Sequence, residues 1–269
     1  MKITKMHGTG NDFVVINAMA EKLPADLVAF SKKIADRHYG VGCDQVLLID
    51  KSNIADFKML IFNNDGSQVE MCGNGIRCLA RYVYEKGLTK KKKITVETLA
   101  GIKIPEIIGD KVRVNMGKPS FVSKDWKSGE TISKPLTIED QTFTATLVSV
   151  GNPHCVIFVD KITDELVHKY GPKIENNREL FPNRINVEFI KKISQNEIEM
   201  RVWERGAGET LACGTGSTAA AIAAIKNGFT KSNVIVHLIG GNLEISWDGS
   251  DAFMTGPAEF VFEAEISYK

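Results

Sequence analysis

Apolar residues arrive along this chain mostly in short runs broken by glycine-rich turns. The segment 2–17 reads as a strand, a turn at Gly8-Thr9-Gly10, and a second strand through Phe13-Val14-Val15-Ile16. Leu27, Val28, Phe30, Ile34 and Ala35 share one face at helical spacing, which predicts a helix over 24–37. Strands follow at 46–49 and 57–62, then a hairpin turn at Asn64-Asp65-Gly66-Ser67 and a second helix over 76–85. Three further strands, 94–97, 102–105 and 111–115, are divided by Gly101 and by Gly109-Asp110.

The pattern then repeats. At a shift of 141 positions Gly10-Asn11 falls on Gly151-Asn152, Gln45 on Asn186, and Asn63-Asn64 on Glu204-Arg205. The same shift puts Cys72-Gly73 on Cys213-Gly214 and Gly87 on Gly228. Gly101 with Gly241 and Gly117 with Gly256 keep the order at slightly smaller shifts. An ordered series of this kind marks a duplication. The expected fold is therefore α+β: two pseudo-symmetric halves, each a mostly antiparallel sheet wrapped around one central helix. The helix after Cys213, over 217–225, is apolar or small nearly all round, the mark of a buried helix. Its counterpart over 76–85 is more amphipathic and carries Cys78 as a core thiol. The segment 118–138, with Pro119, Gly129 and Pro135, reads as the link, so the halves divide as 1–117 and 118–257.

Composition narrows the function. A net charge of +1 over 269 residues gives no global field for nucleic acid or an acidic membrane. The run 90–93 of lysines reads as a solvated turn. The N-terminus lacks a signal-peptide core, and no apolar run reaches the ~18 residues of a membrane span. Cys43, Cys72, Cys78, Cys155 and Cys213 are odd in number, which points to reduced thiols in a cytoplasm. No closely spaced C-x2-C or H-x3-H pair is present, so no metal site is expected.

The chemistry concentrates in Cys72-Gly73-Asn74-Gly75 and Cys213-Gly214-Thr215-Gly216, each opening a helix. A helix start offers unpaired N–H groups and about half a positive charge. Glycines let an anion approach the backbone, and the local field is expected to lower a thiol's pKa. A cysteine amidase would need a His base; His154 could serve, but would explain only one thiol. A C-x-x-C redox pair is absent. Epimerisation beside a carboxylate needs two acid–base groups on opposite faces of one carbon, sharing one proton. Helix N–H donors would stabilise charge growing on the carboxylate. A nucleotide-binding reading of Gly214-Thr215-Gly216-Ser217-Thr218-Ala219 lacks its acidic ribose partner, since 234–239 holds none. A binding module for amino acids would need neither thiol.

Several motifs together resemble the diaminopimelate epimerases: Gly8-Thr9-Gly10-Asn11-Asp12-Phe13, Met71-Cys72-Gly73-Asn74-Gly75, Gly151-Asn152-Pro153-His154, and 204–210 running into Ala212-Cys213-Gly214-Thr215-Gly216. The resemblance covers essentially the whole chain. It implies a cofactor-independent (PLP-independent) isomerase that interconverts LL- and meso-2,6-diaminopimelate for lysine and peptidoglycan synthesis. It also implies an active site in a cleft between the halves, return of 258–269 to the first half, and a homodimer. Carried over by position, Cys72 and Cys213 are the acid–base pair. Gly73, Asn74, Gly214 and Thr215 would bind the reacting carboxylate. Asn11, Gln45, Asn63, Asn152, Asn186, Glu204 and Arg205 would hold the rest of the substrate, and His154 and Glu204 would tune the thiols. Amides with one Glu and one Arg suit ammonium and carboxylate groups. Cys43 departs from the expected pattern, and an epimerase of another amino acid is the alternative.

Overall fold

The computed structural model describes residues 1–126 and 131–267. Gly129 of the expected link and the last two residues of 258–269 lie outside the described residues. The chain divides into two compact units, Met1–Val114 with Thr255–Lys269, and Asn115–Met254.

The first unit contains β1 (Lys2–Gly8), β2 (Asn11–Asn17), α1 (Leu27–Ala35), β3 (Gln45–Asp50), β4 (Phe57–Asn63), β5 (Gln68–Val69) and α2 (Gly73–Glu85). It continues with β6 (Val96–Thr98), β7 (Gly101–Lys103), β8 (Glu106–Ile108) and β9 (Lys111–Gly117), whose last residues enter the second unit. The second unit holds β10 (Lys134–Ile138), β11 (Gln141–Ser149), β12 (Pro153–Phe158), a π-helical turn (Leu166–Tyr170), α3 (Gly171–Glu175), β13 (Asn186–Lys192) and β14 (Glu197–Glu204). After these come β15 (Gly208–Glu209), α4 (Gly214–Lys226), β16 (Asn233–Leu238), β17 (Gly241–Trp247) and β18 (Ala252–Pro257), and β19 (Glu259–Glu265) returns to the first unit.

The duplication is visible in the strand order. The first sheet runs β19-β1-β2-β3-β4-β6-β7 with β5 on β4, and the second opens with the run β10-β11-β12-β13-β14-β16-β17, with β15 on β14, before continuing as β18-β9-β8. Each contains matching parallel pairs, β2 with β3 and β12 with β13, in the same register: Phe13 faces Gln45 and His154 faces Asn186. Most other pairings are antiparallel.

Helices cover both faces of each sheet. In the first unit α1 packs over β3 and β4 while α2 packs across β1 to β4. Val14, Ile16, Val46 and Leu48 therefore meet Phe30 and Ile34 of α1, and Phe13 and Leu47 point to the opposite face. Two-sided cover explains why Phe13-Val14-Val15-Ile16 is buried throughout instead of alternating. In the second unit α4 packs across β11 to β14, and α3 packs on β13 and β14. As its composition predicts, α4 is buried over most of its surface. Cys78 in α2 is wholly buried.

Two expectations need correction. The supposed link over 118–138 ends in strand β10, not in loop, and Pro135 fits there because β10 is the sheet edge. Helix α1 begins at Leu27 because Asp26 caps it, its side chain accepting from Ala29 N, so Pro24 and Ala25 stay outside.

Candidate active site

Both cysteines sit at the same local structure. Helices α2 and α4 each run 13 residues and each has a cysteine as its N-cap. Gly75 N donates to Cys72 Sγ at 3.4 Å, and Gly216 N donates to Cys213 Sγ at 3.3 Å. Each sulfur thus takes one N–H of the first helical turn. Both helices stop at a left-handed glycine, Gly87 at φ 68° and Gly228 at φ 71°. All five cysteines are thiols.

In the first unit, Asn11 stands just after the β1–β2 turn and accepts at Oδ1 from Cys72 Sγ (3.7 Å) and from Asn74 Nδ2 (3.2 Å). Asp44 fixes Asn11 from the other end by accepting from its Nδ2 at 2.9 Å. Asn74 in turn accepts from Arg77 Nη1 at 2.8 Å. Arg77 is wholly buried, and its guanidinium also donates to Thr9 Oγ1, Gly73 O and Pro257 O. The turn at Gly8 lies so close that a Cβ there would come within 2.9 Å of Arg77 Nη2. Gln45 and Asn63 face each other across β3 and β4, with Gln45 Nε2 donating to Asn63 Oδ1 at 2.8 Å. Gln45 Oε1 is buried with no hydrogen-bond partner.

In the second unit, Asn152 donates to Thr215 Oγ1 at 3.2 Å, and Thr215 Oγ1 lies 3.5 Å from Cys213 Sγ. His154 is fully buried between Asn152 Oδ1 (2.9 Å from Nε2) and Glu188 Oε1 (2.7 Å from Nδ1). Glu204 accepts from Thr210 Oγ1, and its charge acts on the Cys213 thiol. Asn186 braces the backbone, donating to Pro153 O and accepting from Arg205 N, both at 2.9 Å. The Arg205 side chain is exposed and reaches Asn183 O. Gly73 and Gly214 are the first residues of their helices and are buried. The structure therefore groups Cys72 with Asn11 and Asn74, Gln45 with Asn63, Cys213 with Asn152, His154, Thr215 and Glu204, and Asn186 with Arg205.

One expectation about the thiols fails at Cys213. The helix start was expected to lower its pKa, but burial pushes it well above 9.0, and the nearby Glu204 and Glu188 add to the rise. Hydrogen bonds from Thr215 and Gly216 oppose this without reversing it. Burial also raises Glu204 above 4.5, against the hydrogen bond from Thr210. Cys43 is buried and pushed up to about 11 by desolvation, which makes it an inert core thiol.

Glu188 was missed by the sequence reading. It lies in the middle of the apolar run of β13, where a carboxylate carries no motif of its own. The available signal was the repeat, because position 188 matches Leu47 at the shift of 141. Among the described residues no group of three His, Cys, Asp or Glu is placed to hold a metal ion.

The family model for diaminopimelate epimerase matches residues 3–122 and 146–261. The chain is 47% identical over 280 residues to the diaminopimelate epimerase of Pelotomaculum thermopropionicum, covering 100% of both chains. It is 48% identical over 277 residues to that of Moorella thermoacetica, covering 99% of each. Among solved structures, a phenazine biosynthesis protein of the PhzF family from Bacillus anthracis superposes with a TM-score of 0.72 at 18% identity, covering 100% of this chain and 99% of that one. A probable proline racemase from Agrobacterium radiobacter gives 0.72 at 17% identity, covering 100% and 93%. The structural likenesses establish the fold, and the family match with its full-length relatives establishes that this chain belongs to the diaminopimelate epimerase family.

Proposed function

We propose that this chain interconverts LL- and meso-2,6-diaminopimelate, with Cys72 and Cys213 as a cofactor-independent acid–base pair. The observation that carries the chemistry is the equivalence of the two sulfurs: each caps the first turn of a matched helix in a duplicated fold. The family match carries the substrate.

In this reading one sulfur, as thiolate, takes the α-proton. The electron pair left on the α-carbon spreads into the adjacent carboxylate, and the other thiol delivers its proton to the opposite face. The reverse reaction exchanges the roles. Burial beside Glu204 and Glu188 favours Cys213 as the protonated member, the form that donates. With one proton between the two sulfurs, Cys72 is then the base of the resting pair. N–H groups at the two helix starts, with Gly73, Asn74, Gly214 and Thr215, stabilise the charge growing on the carboxylate.

Asn11, Gln45, Asn63, Asn152, Asn186, Glu204 and Arg205 orient the substrate. Gln45 Oε1, a buried acceptor with no partner, suits an ammonium donor. Arg205, exposed and cationic, suits a carboxylate. His154 acts on the Cys213 thiol through Asn152 and Thr215. The family resemblance extends the proposal to a cytoplasmic homodimer in lysine and peptidoglycan precursor synthesis; light scattering on the purified protein reads the dimer.

Proton NMR in D2O, with reductant, tests the substrate. The enzyme is offered LL- and meso-diaminopimelate, proline and a panel of L-amino acids. Deuterium entering diaminopimelate alone, with LL and meso forms approaching equilibrium, is the expected result. Exchange only in another amino acid would move the substrate, and exchange in none would end the enzyme reading.

A further inference from the structure

The two units provide an internal control for one buried pair. His154 and Glu188 are both fully buried, on adjacent parallel strands beneath the start of α4. The repeat places Phe13 and Leu47 at the same positions of the first unit, also fully buried and in the same strand register. The fold therefore accepts an apolar pair here. Replacing a buried ion pair by well-packed apolar residues is often neutral or stabilising. Glu188 Oε2 is in addition buried with no hydrogen-bond partner, a cost that core packing alone would not sustain. Stability does not explain the pair.

Its connections supply another explanation. Four hydrogen-bonded links lead from the carboxylate to the sulfur. Glu188 Oε1 meets His154 Nδ1 at 2.7 Å, His154 Nε2 meets Asn152 Oδ1 at 2.9 Å, Asn152 Nδ2 meets Thr215 Oγ1 at 3.2 Å, and Thr215 Oγ1 meets Cys213 Sγ at 3.5 Å. Asn152 Oδ1 can only accept, so His154 Nε2 carries a hydrogen, and Nδ1 either donates to Glu188 Oε1 or accepts from it. Either form fixes the ring, and the ring fixes which end of the Asn152 amide faces Thr215. The backbone is fitted to this: a Cβ on Gly216, in the first turn of α4, would lie 2.8 Å from Glu188 Oε1 and 3.2 Å from Cys213 Sγ. Only glycine lets the carboxylate and the thiol flank that turn together.

We propose that Glu188 is a positioning residue for the reaction: through His154, Asn152 and Thr215 it aligns the Cys213 thiol for proton transfer. The proposal rests on the reading of Cys213 as an acid–base group. It distinguishes the two halves of the site, because the first unit aligns Cys72 through Asn11, Asn74 and the buried Arg77 instead.

The test compares Glu188→Gln, Glu188→Asp, the double variant His154→Phe/Glu188→Leu, and Cys213→Ser in the full-length enzyme. It records kcat, KM, Tm and the 15N shifts of the His154 ring. Glu188→Gln is expected to lower kcat at least about tenfold with KM within about threefold, and to change the ring's protonation signature. Glu188→Asp is expected to recover part of kcat. The double variant, which copies Phe13 and Leu47, is expected to fold with a Tm near that of the wild type and to be as slow as Glu188→Gln. Wild-type kcat in Glu188→Gln would overturn the proposal, as would wild-type kcat in the double variant should Glu188→Gln not fold. Cys213→Ser separates the two readings. If it is inactive while the Glu188 variants turn over normally, only this proposal falls; if it epimerises at the wild-type rate, the two-thiol reading falls.

Discussion

The charge of the half-buried Glu204 carboxylate acts on the buried Cys213 thiol, so ionising either group disfavours ionising the other. Desolvation opposes charge on either. The negative charge of Glu204 further holds the proton on Cys213. Glu204→Gln keeps the shape and removes that charge. Cys213 is then expected to lose its proton at lower pH than in the wild type, as read by NMR of labelled Cys213 Cβ. An unchanged or upward-shifted titration would show that burial alone sets this thiol.

Arg77 is expected to be the least replaceable residue of α2. Its guanidinium donates to Thr9 Oγ1, Asn74 Oδ1, Gly73 O and Pro257 O from a wholly buried position. Truncation leaves buried acceptors without a donor, at a cost of about 3 kcal/mol or more in denaturant unfolding. Arg77→Lys should not rescue it, because one ammonium cannot span acceptors on separate segments. A lysine variant within about 1 kcal/mol of the wild type would contradict this.

Gly216→Ala and Gly228→Ala make a matched pair in and just beyond one helix. At Gly216 a Cβ meets Glu188 Oε1 at 2.8 Å and Cys213 Sγ at 3.2 Å. Overpacking of about 1–3 kcal/mol should exceed alanine's helical advantage of about 1 kcal/mol, and turnover should fall with it. At Gly228 nothing lies within 4 Å, but φ is 71°. Alanine there should cost about 1 kcal/mol of backbone strain and leave turnover unchanged. Equal effects on turnover at the two positions would count against a crowded thiol turn.

Stability should fall as pH rises above 9. Burial pushes Cys43 up to about 11 and Cys78 up to about 12, and raises Cys155 and Cys213 as well. For each, the unfolded chain ionises first, near the ordinary value of 9.0, while the folded chain keeps its proton. The folded state therefore binds more protons across this window, and stability drops until the folded pKa is passed. Tm measured from pH 8 to 11 should decline, and Cys43→Ala should shallow the slope after its own offset is subtracted. A flat profile would contradict the burial of these thiols.

The duplication was legible because glycines, amides and cysteines recur at one shift, and the structure carries that shift into strand register: Phe13 faces Gln45 as His154 faces Asn186. The two cysteine-capped helices were legible for the same reason. Glu188 was not, since local pattern treats a carboxylate in an apolar run as noise, and only the packing of α4 over β13 shows what it meets. Arg77 was likewise not singled out, because which side of α2 touches the Gly8-Thr9 turn is decided by tertiary contact. The pKa of Cys213 was misjudged because a helix start is a local feature, whereas burial and the two carboxylates that outweigh it come from β13 and β14.

The most direct test of the two-thiol account is deuterium placement at early times. LL-diaminopimelate is mixed with the enzyme in D2O, and the first few per cent of turnover is quenched and examined by mass spectrometry. Two opposed thiols predict that the meso product carries solvent deuterium while recovered LL substrate keeps its α-hydrogen, since the group that removes the proton is not the group that returns one. A meso product that keeps the substrate's own hydrogen, or LL substrate that gains deuterium as fast as product forms, would mean that one group works both faces and would contradict the account.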